Sequence, residues 1–377
     1  MELDVRSTLS SLTLARFASR SRDVAAGRAM PYDGSMQWLL TANPGLEDVV
    51  AAEAAETVDA RVRDQGLGMR GRVVVETDAP SEQLERLRSP YHVARFLGGF
   101  RVRTDAAGLS EIRDAARALE VPEMASARAF RVTGQRSGDH AYTSIDLQHV
   151  VGQALVDRYG TAVDLETYDV DLRCDVIGRR CELSVRSTDA SLHRQRFDRP
   201  FDHPAGTKAP LAYALLRLAD VRPGETLLDP FCGGGTIAIE AAQAWPDLRV
   251  IAGDVDPSFL EGARQNAEAA GVGDRITLRE MDARGLTQYL DAPVDRIVAN
   301  PPYGIRMGKT SYLKGLYSGF LQGASQALTA HGRVVVMTPR AETLRRALFA
   351  LNGLTPLAER NIRSGGLYPV VFTLAPL

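Results

Sequence analysis

The four residues best suited to take part in a reaction follow a predicted strand. They are Asn300, Pro301, Pro302 and Tyr303. The two prolines stiffen the backbone and lack N–H donors, so nearby carbonyl oxygens point outward as fixed acceptors. The Asn300 amide oxygen adds another acceptor, and Tyr303 offers a flat ring for stacking against a planar substrate. This arrangement suits a planar nitrogen with two hydrogens, whose lone pair attacks an electrophile. A plain Pro-Pro-Tyr turn is the alternative interpretation.

A second candidate segment is the glycine-rich run DPFCGGGT, between a predicted strand and a predicted helix. Its candidate ligand-binding residues are Asp229, Cys232, Gly233, Gly234, Gly235 and Thr236. Glycines let the backbone approach a ligand closely and adopt positive φ values. The spacing matches neither GxGxxG nor GxxxxGKS, which argues against a dinucleotide or a nucleoside triphosphate. A tight strand-to-helix connection without a ligand is the alternative.

Acidic residues end the next two predicted strands. Asp254, followed by Val255, can accept hydrogen bonds from both hydroxyls of a ribose. Asp282, followed by Ala283, can accept a hydrogen bond from an adenine amino group, with a helix N-cap as an equal alternative. We expect Asp256 to cap the following helix. Together with the glycine-rich run, these strand ends predict a nucleoside-binding site.

The elements that position these residues follow a regular pattern. Strands and helices alternate through 211–377, which predicts an α/β fold with a parallel, doubly wound sheet. An antiparallel end is expected from a strand pair near 355–363 and 367–375. Ligands on such sheets bind beyond the carboxyl ends of the strands, where the candidate residues lie.

The first half of the chain predicts two α+β modules. Residues 1–35 show no sustained periodicity and are predicted to be a flexible extension. Residues 36–100 and 101–190 alternate short strands with amphipathic helices, and FRVRTD at 100–105 is predicted to be the strand that opens the second module. The stretch 191–210, rich in proline and arginine, is predicted to be a linker.

Composition excludes several classes of protein. Of the 377 residues, 45% are hydrophobic and 24% are charged, which is typical of globular domains. A formal net charge of −2 argues against a polycationic nucleic-acid coat. Cys174, Cys181 and Cys232 form no CxxC or Cys/His pattern, so we expect neither a disulfide scaffold nor a metal site. No apolar run approaches the ~20 residues of a membrane helix. Because no signal peptide is evident either, we expect a soluble cytoplasmic protein.

The motifs DPFCGGGT, GDVD, EMDA and NPPYG resemble those of class I S-adenosylmethionine-dependent methyltransferases that act on exocyclic amino groups. Upstream, NPGLEDVVAAE and VTGQRSGDHAYTSIDLQHVVGQAL are similar to segments of THUMP-containing RNA methyltransferases, and the resemblance covers 36–377. It implies ferredoxin-like and THUMP α+β modules before a Rossmann-like methyltransferase domain, whose sheet is mostly parallel and seven-stranded with an antiparallel end. The resemblance is strongest to members that methylate N2 of guanosine 6 in the tRNA acceptor stem.

The family resemblance also implies S-adenosyl-L-methionine as the cofactor. Asp254 would bind its ribose and Asp282 its adenine amine. The residues implied at its methionine end are Asp229, Gly233–Gly235, Ala205, Gly206 and Thr207.

The same resemblance implies how the substrate is held. Asn300 and the Pro301 carbonyl would orient the guanine amino group, and Tyr303 would stack on the base. The methyl donor is already activated, so positioning should supply most of the rate, without a metal or a covalent enzyme intermediate. The target base must leave its stack to reach the site.

Positive side chains are the candidates for contacts with RNA phosphates. The candidates are Arg128, Arg131, Arg136, Arg306 and Lys309. A solvated surface is the alternative for each of them. The expected partner is tRNA, bound by a monomer.

Other functions stay open at this point. The substrate could be a guanosine of large-subunit ribosomal RNA, an adenine amine in RNA or DNA, or a protein glutamine amide. A non-catalytic RNA-binding or assembly factor is the alternative from another class, and S-adenosylmethionine binding would separate the two. An oxidoreductase is disfavoured because the GxGxxG fingerprint is missing.

Overall fold

The structure, a computed structural model, describes residues 36–64, 70–188, 190–192, 196, 199–203, 206–304 and 310–377. One compact unit contains Phe96–Val185, and a second combines Ser35–Arg95 with Arg186–Leu377. The predicted extension, residues 1–35, lies outside the described residues. Within the described ranges, every helix is too short or too polar to span a lipid bilayer.

The segment Ser35–Arg95 follows the order βαββαβ. Its elements are β1 (Gln37–Thr41), α1 (Glu47–Val58), β2 (Arg61–Asp64), β3 (Arg72–Glu76), α2 (Ser81–Leu84) and β4 (Val93–Arg101). The strands lie in the order β2-β3-β1-β4, and the pairs of β1 with β3 and β4 are antiparallel. Trp38 and Leu40 of β1 share a core with Val50 and Ala54 of α1. This is the ferredoxin-like order that the family resemblance implies.

The unit Phe96–Val185 is a second α+β arrangement. Its elements are α3 (Ala107–Ala118), β5 (Ala129–Ser137), α4 (Ser144–Tyr159), β6 (Ala162–Val163), β7 (Val170–Ile177) and β8 (Arg180–Arg186). Strand β5 pairs in parallel with β7, and β7 forms an antiparallel hairpin with β8 around Gly178. A capping box between Thr143 and Asp146 begins α4.

One predicted strand is misplaced in the sequence analysis. The strand expected at 100–105 is instead β4, which ends at Arg101. Carboxylates take the backbone donors that follow: Glu111 accepts from the Arg103 amide at 2.9 Å, and Asp105 accepts from the Ala107 amide at 3.0 Å. These side-chain bonds take the place of strand pairing, and α3 begins directly after them.

A seven-stranded sheet organises the region from residue 209 onward. Its strands are β9 (Thr226–Asp229), β10 (Arg249–Asp254), β11 (Ile276–Glu280), β12 (Val294–Ala299), β13 (Leu328–Thr338), β14 (Leu354–Asn361) and β15 (Val370–Pro376). The order is β11-β10-β9-β12-β13-β15-β14. The first five strands pair in parallel, and β15 pairs antiparallel with β13 and β14. The predicted parallel sheet with an antiparallel end is therefore confirmed.

Helices cover both faces of this sheet. They are α5 (Ala209–Leu218), α6 (Thr236–Ala244), α7 (Pro257–Ala269), α8 (Thr310–Ala327) and α9 (Ala341–Phe349). Successive strand residues point to opposite faces, so Leu227 packs with α5, α6 and α7 while Leu228 packs with α8 and α9. Both faces are buried, which explains why these strands read as continuous apolar runs.

A buried carboxylate joins the ferredoxin-like segment to the seven-stranded sheet. Glu240 of α6 is fully buried, and its Oε2 accepts from Arg88 Nη1 at 3.0 Å and from Arg196 Nη1. Arg196 Nη2 also donates to the Arg88 carbonyl at 2.6 Å. Two guanidinium groups from separate segments therefore converge on one carboxylate in the helix that follows the glycine-rich run.

We predict that Glu240→Ala lowers the free energy of unfolding by about 3 kcal/mol, because it leaves two partly buried arginines without their counter-charge. Urea denaturation followed by circular dichroism measures the effect. The matched control is Glu342→Ala, which breaks an exposed pair with Arg346 and should cost less than about 1 kcal/mol. Equal losses in the two variants would contradict the role of Glu240.

Candidate active site

The candidate residues converge on a cavity of about 890 Å³ at the carboxyl ends of β9, β10 and β12. The predicted residues that line it are Gly206, Thr207, Asp229, Cys232, Gly233, Gly234, Thr236, Asp254, Val255, Asp282, Ala283, Asn300, Pro301, Pro302 and Tyr303. Gly235 lies instead at the N-cap of α6, with φ +78°. Ala205, Arg306 and Lys309 lie outside the described residues.

Asp254 fixes the conformation of the glycine-rich loop. Its Oδ2 accepts from the Gly233 amide at 3.0 Å, and its Oδ1 accepts from the Asp256 amide at 3.1 Å. Gly233 has φ +50°, a left-handed conformation that favours glycine. The Cys232 amide donates to the Gly253 carbonyl at 2.8 Å. The loop is therefore bonded to β10 through both side chain and backbone, and a carboxylate has lone pairs left for a ligand.

Asp229 is a buried acid behind this loop. Burial raises its pKa to about 8, the nearby Asp254 carboxylate adds to the rise, and a bond from the Phe231 amide opposes it. The folded state therefore keeps a proton that the unfolded chain loses near pH 4. It follows that this group's contribution to stability falls as the pH rises from about 4 to about 8.

The other two acids cap helices. Asp256 begins α7 and accepts from the Ser258 amide at 2.9 Å, as predicted. Asp282 caps the short 3₁₀ helix Ala283–Gln288 through the Arg284 amide at 3.0 Å. The Arg284 side chain also bonds the Asp282 carboxylate and lowers the pKa of that group. The cap interpretation of Asp282 is therefore correct, while its place in the cavity wall also allows a contact with a base.

The corner at Asn300 has a defined amide orientation. Asn300 Nδ2 donates to Thr207 Oγ1 at 2.9 Å, and Asn300 Oδ1 accepts from the Tyr303 hydroxyl. Burial raises the pKa of Tyr303 to about 12, so this hydroxyl is a proton donor at neutral pH. The Pro302 carbonyl accepts from Tyr317 at 3.3 Å, and the Tyr303 carbonyl accepts from Arg340 Nε at 3.1 Å. One N–H of the Asn300 amide is thus used inside the protein, and its oxygen could exchange the Tyr303 hydroxyl for another hydrogen-bond donor.

Thr207 has a different partner from the one expected. The family resemblance implies that it closes over the methionine end of the cofactor, whereas its hydroxyl bonds the amide of Asn300. Both residues line the same cavity. The segment that precedes α5 therefore orients the amide of Asn300.

Asn266 is a site residue that the sequence analysis missed. This side chain is buried in α7, and its Nδ2 donates to the carbonyls of Gly234 and Phe201 at 2.9 Å each. Its Oδ1 accepts from the Phe201 amide at 3.0 Å. Gly262 allows the close approach, because a Cβ there would lie 2.3 Å from the Phe201 ring. A polar residue on the alanine-lined face of ARQNAEAAG is the signal that could have revealed it.

Two aromatic side chains of the cavity wall were also missed. The rings of His203 and Phe259 pack edge to face with centroids 4.4 Å apart, and both residues line the cavity. A Cβ on Gly233 would lie 3.4 Å from the His203 ring. The irregular stretch 199–203, predicted to be a linker, therefore forms part of the site.

The candidate RNA-binding arginines have partners within their own unit. Arg128 bonds Asp169 at 2.9 Å and lowers the pKa of that carboxyl to about 2. Arg131 bonds Asp171 at 2.7 Å, and Arg136 Nη1 donates to the Gly138 carbonyl at 2.7 Å. Their proposed role in RNA binding stays a prediction. Among the described residues, no group of three or more His, Cys, Asp or Glu side chains is arranged to hold a metal ion.

Known proteins share this architecture. Residues 196–369 match the family described as RMKL-like, methyltransferase domain, and residues 106–186 match the THUMP domain. A tRNA (guanine(6)-N2)-methyltransferase of Thermus thermophilus is 41% identical over 90% of this chain and 100% of the relative. The chain belongs to the THUMP-domain family of S-adenosylmethionine-dependent RNA guanine-N2 methyltransferases.

Other members of this methyltransferase family support the assignment. The tRNA (guanine(6)-N2)-methyltransferase of Archaeoglobus fulgidus is 31% identical over 88% of this chain and 90% of its own length. The crystal structure of TrmN from Thermus thermophilus matches with a TM-score of 0.76 and 38% identity, covering 91% of this chain and 100% of that chain. The protein is therefore an enzyme that uses S-adenosylmethionine.

The residues present fit this cofactor. Gly233 and Gly234 line the cavity with backbone alone, because glycine has no side chain. Asp254 is the last residue of the adjacent strand, and it also lines the cavity. Asp229 supplies a buried acid whose ionised form an ammonium group would favour. These groups would hold the methionine end and the ribose, with Asp282 and Val255 at the adenine.

We predict that S-adenosylmethionine binds more tightly as the pH rises toward about 8, because the cofactor ammonium favours ionised Asp229, which then releases a proton. Titration calorimetry in buffers of different ionisation enthalpy measures the released proton. Asp229→Asn should abolish this release, while Asp274→Asn at an exposed position should keep it. Undiminished proton release in Asp229→Asn would refute the assignment.

We also predict that Asn266→Ala weakens S-adenosylmethionine binding by about tenfold or more, because it leaves the buried Gly234 carbonyl and the partly buried Phe201 carbonyl without their donor. Calorimetry measures the dissociation constant. Gln265→Ala, at the exposed neighbouring position, is the control and should bind like the wild type. A normal dissociation constant for Asn266→Ala would show that the loop does not depend on this side chain.

Proposed function

We propose that this enzyme transfers a methyl group from S-adenosylmethionine to N2 of a guanosine in tRNA, at position 6 of the acceptor stem. The observation that carries the proposal is the oriented amide of Asn300 beside a proline-rich corner in the cavity. The Thermus and Archaeoglobus relatives are tRNA (guanine(6)-N2)-methyltransferases, which supports guanosine 6 of tRNA as the substrate.

The Asn300 corner suits an exocyclic amine. Asn300 Oδ1 and the Pro301 carbonyl would accept its two N–H groups, which leaves the nitrogen lone pair perpendicular to the base plane. Because the Tyr303 hydroxyl donates to the same Oδ1, substrate binding would exchange one donor for another. Tyr303 would then contribute its ring as a stacking surface.

Positioning and charge stabilisation would supply the rate. The bound cofactor supplies a methyl group that its sulfonium has already activated. As positive charge develops on the amine, the two acceptor oxygens of the corner would stabilise it without reorganising. With a pKa of about 12, Tyr303 is not a base at neutral pH. The cavity of about 890 Å³ lies near the upper end of the volumes of pockets that bury drug-sized ligands. This volume would hold the cofactor together with an extruded base.

Mass-spectrometric mapping of methylated nucleosides tests the substrate directly. Transfer RNA and ribosomal RNA from cells with and without the gene are compared, and the purified enzyme is then supplied with each. We expect N2-methylguanosine at position 6 of tRNA. A methyl group that is instead found in 23S ribosomal RNA would overturn the tRNA assignment. The monomeric state and the cytoplasmic location stay predictions.

We predict that Asn300→Ala lowers kcat by about a hundredfold or more, because one of the two acceptors that orient the amine is lost. Methyl transfer from radiolabelled S-adenosylmethionine measures kcat, and calorimetry should show an unchanged cofactor dissociation constant. The control is Asn352→Ala at an exposed position. Near-normal turnover in Asn300→Ala would exclude the proposed role of the corner.

A further inference from the structure

The connection between β14 and β15 is a tight hairpin at the wall of the cavity. The Ser364 amide donates to the Leu367 carbonyl at 3.0 Å, and the Leu367 amide donates back at 2.9 Å. Between them, Gly365 and Gly366 have φ values of +56° and +81°. Positive φ at both central residues is typical of the type I′ turn, whose twist matches that of the flanking strands. The hairpin is therefore a geometrically defined element.

The two faces of this hairpin have different environments. Ser364, Leu367 and Pro369 line the cavity. Because successive residues of an extended strand point to opposite faces, Arg363 and Tyr368 lie on the other face. The Tyr368 side chain is 70% exposed, and the Arg363 guanidinium lies 5.8 Å from the centroid of its ring. An exposed aromatic ring and a cation thus sit directly behind the cavity wall.

The base of the hairpin is anchored to the ferredoxin-like segment. Asn43 Nδ2 donates to the Arg363 carbonyl at 2.8 Å, and the Arg363 amide donates to the Pro44 carbonyl at 2.9 Å. The Tyr91 hydroxyl donates to Asn43 Oδ1 at 2.7 Å, which fixes the orientation of the amide. At Gly45 a Cβ would lie 2.3 Å from the Asn361 carbonyl oxygen. The NPG residues of the upstream motif therefore hold the hairpin in place.

We propose that the Arg363–Tyr368 face binds the nucleotide next to the methylated guanosine, with its base stacked on Tyr368 and its phosphate contacting Arg363. This inference rests on the proposed function. Extruding one base leaves its neighbour without a stacking partner, and an aromatic ring can replace that partner for any base. Guanidinium groups suit phosphate oxygens through paired hydrogen bonds. Tyr368 lies between two residues of the cavity wall, Leu367 and Pro369, so a nucleotide next to a base in the cavity would need to cross only the hairpin to reach this ring.

The test compares three variants of the full-length enzyme with tRNA as the RNA substrate. Tyr368→Ala should raise the KM for tRNA by about tenfold or more, because stacking on an aromatic side chain is lost. Tyr368→Phe keeps the ring and should restore most of the affinity. The matched control is Phe349→Ala, which removes an aromatic side chain that is 93% exposed and lies at the end of α9. The dissociation constant for S-adenosylmethionine should stay unchanged in all three.

The contribution of Arg363 has its own measurement. Arg363→Ala should reduce the slope of log Kd against log salt concentration by about 0.7–0.9, the value for one phosphate contact. Arg217→Gln is the control, because Arg217 lies on α5 and bonds Glu56 within the same compact unit. An unchanged slope in Arg363→Ala would overturn the phosphate contact.

The outcomes separate this inference from the proposed function. If the wild type methylates tRNA and Tyr368→Ala behaves like Phe349→Ala, the stacking role is wrong and the proposed function stands. If Tyr368→Ala loses S-adenosylmethionine affinity in parallel with tRNA affinity, the ring has a structural role and the inference also fails. If the wild type methylates no tRNA, the proposed function is wrong, and this inference, which rests on it, is wrong as well.

Discussion

Parallel pairing between β9, β10 and β12 is the constraint on which the active site depends. Asp229 lies opposite Ala252, and Leu228 lies opposite Ile297. In this register Asp254 ends β10 and Asn300 follows β12, the two strands that flank β9, so the acid, the glycine loop and the acceptor corner meet at one edge of the sheet. A shift of one residue would turn every side chain to the other face of the sheet. That shift would exchange side chains between two separately packed cores, which would disrupt the packing of both.

Hydrogen bonds from residues outside the sheet hold the loops at these strand ends in place. Asn266 bonds the glycine loop to the stretch around Phe201, and Glu240 bonds the following helix to two arginines. Thr207 orients the amide of Asn300. Each of these contacts joins segments that are distant along the chain. The precise placement of donors and acceptors is therefore a property of packing rather than of the motifs alone, and a loosely packed site would lose it.

Much of this architecture could be predicted from local pattern. Alternating strands and helices predicted the sheet, and the order of the glycine run, the acidic strand ends and NPPY predicted their convergence. Both inferences hold because parallel strands connected by helices place their carboxyl ends together. Helix caps were also predictable at Asp256, since an acid before a helix satisfies its first amides. The strand expected at 100–105 was misplaced because the carboxylate of Glu111, later in the chain, takes the backbone donor of Arg103.

By itself, the sequence determined the fold class, most of the residues that line the cavity and the type of chemistry, because these depend on residue identity and short-range order. Tertiary structure alone decided the hydrogen-bond partners of Asn300 and Asn266. It also decided that one face of the hairpin lines the cavity while Tyr368 is exposed on the other. The reason is physical: a hydrogen bond or a close ring contact requires ångström-scale proximity between residues far apart in sequence. No local pattern encodes that distance; packing of the whole unit sets it.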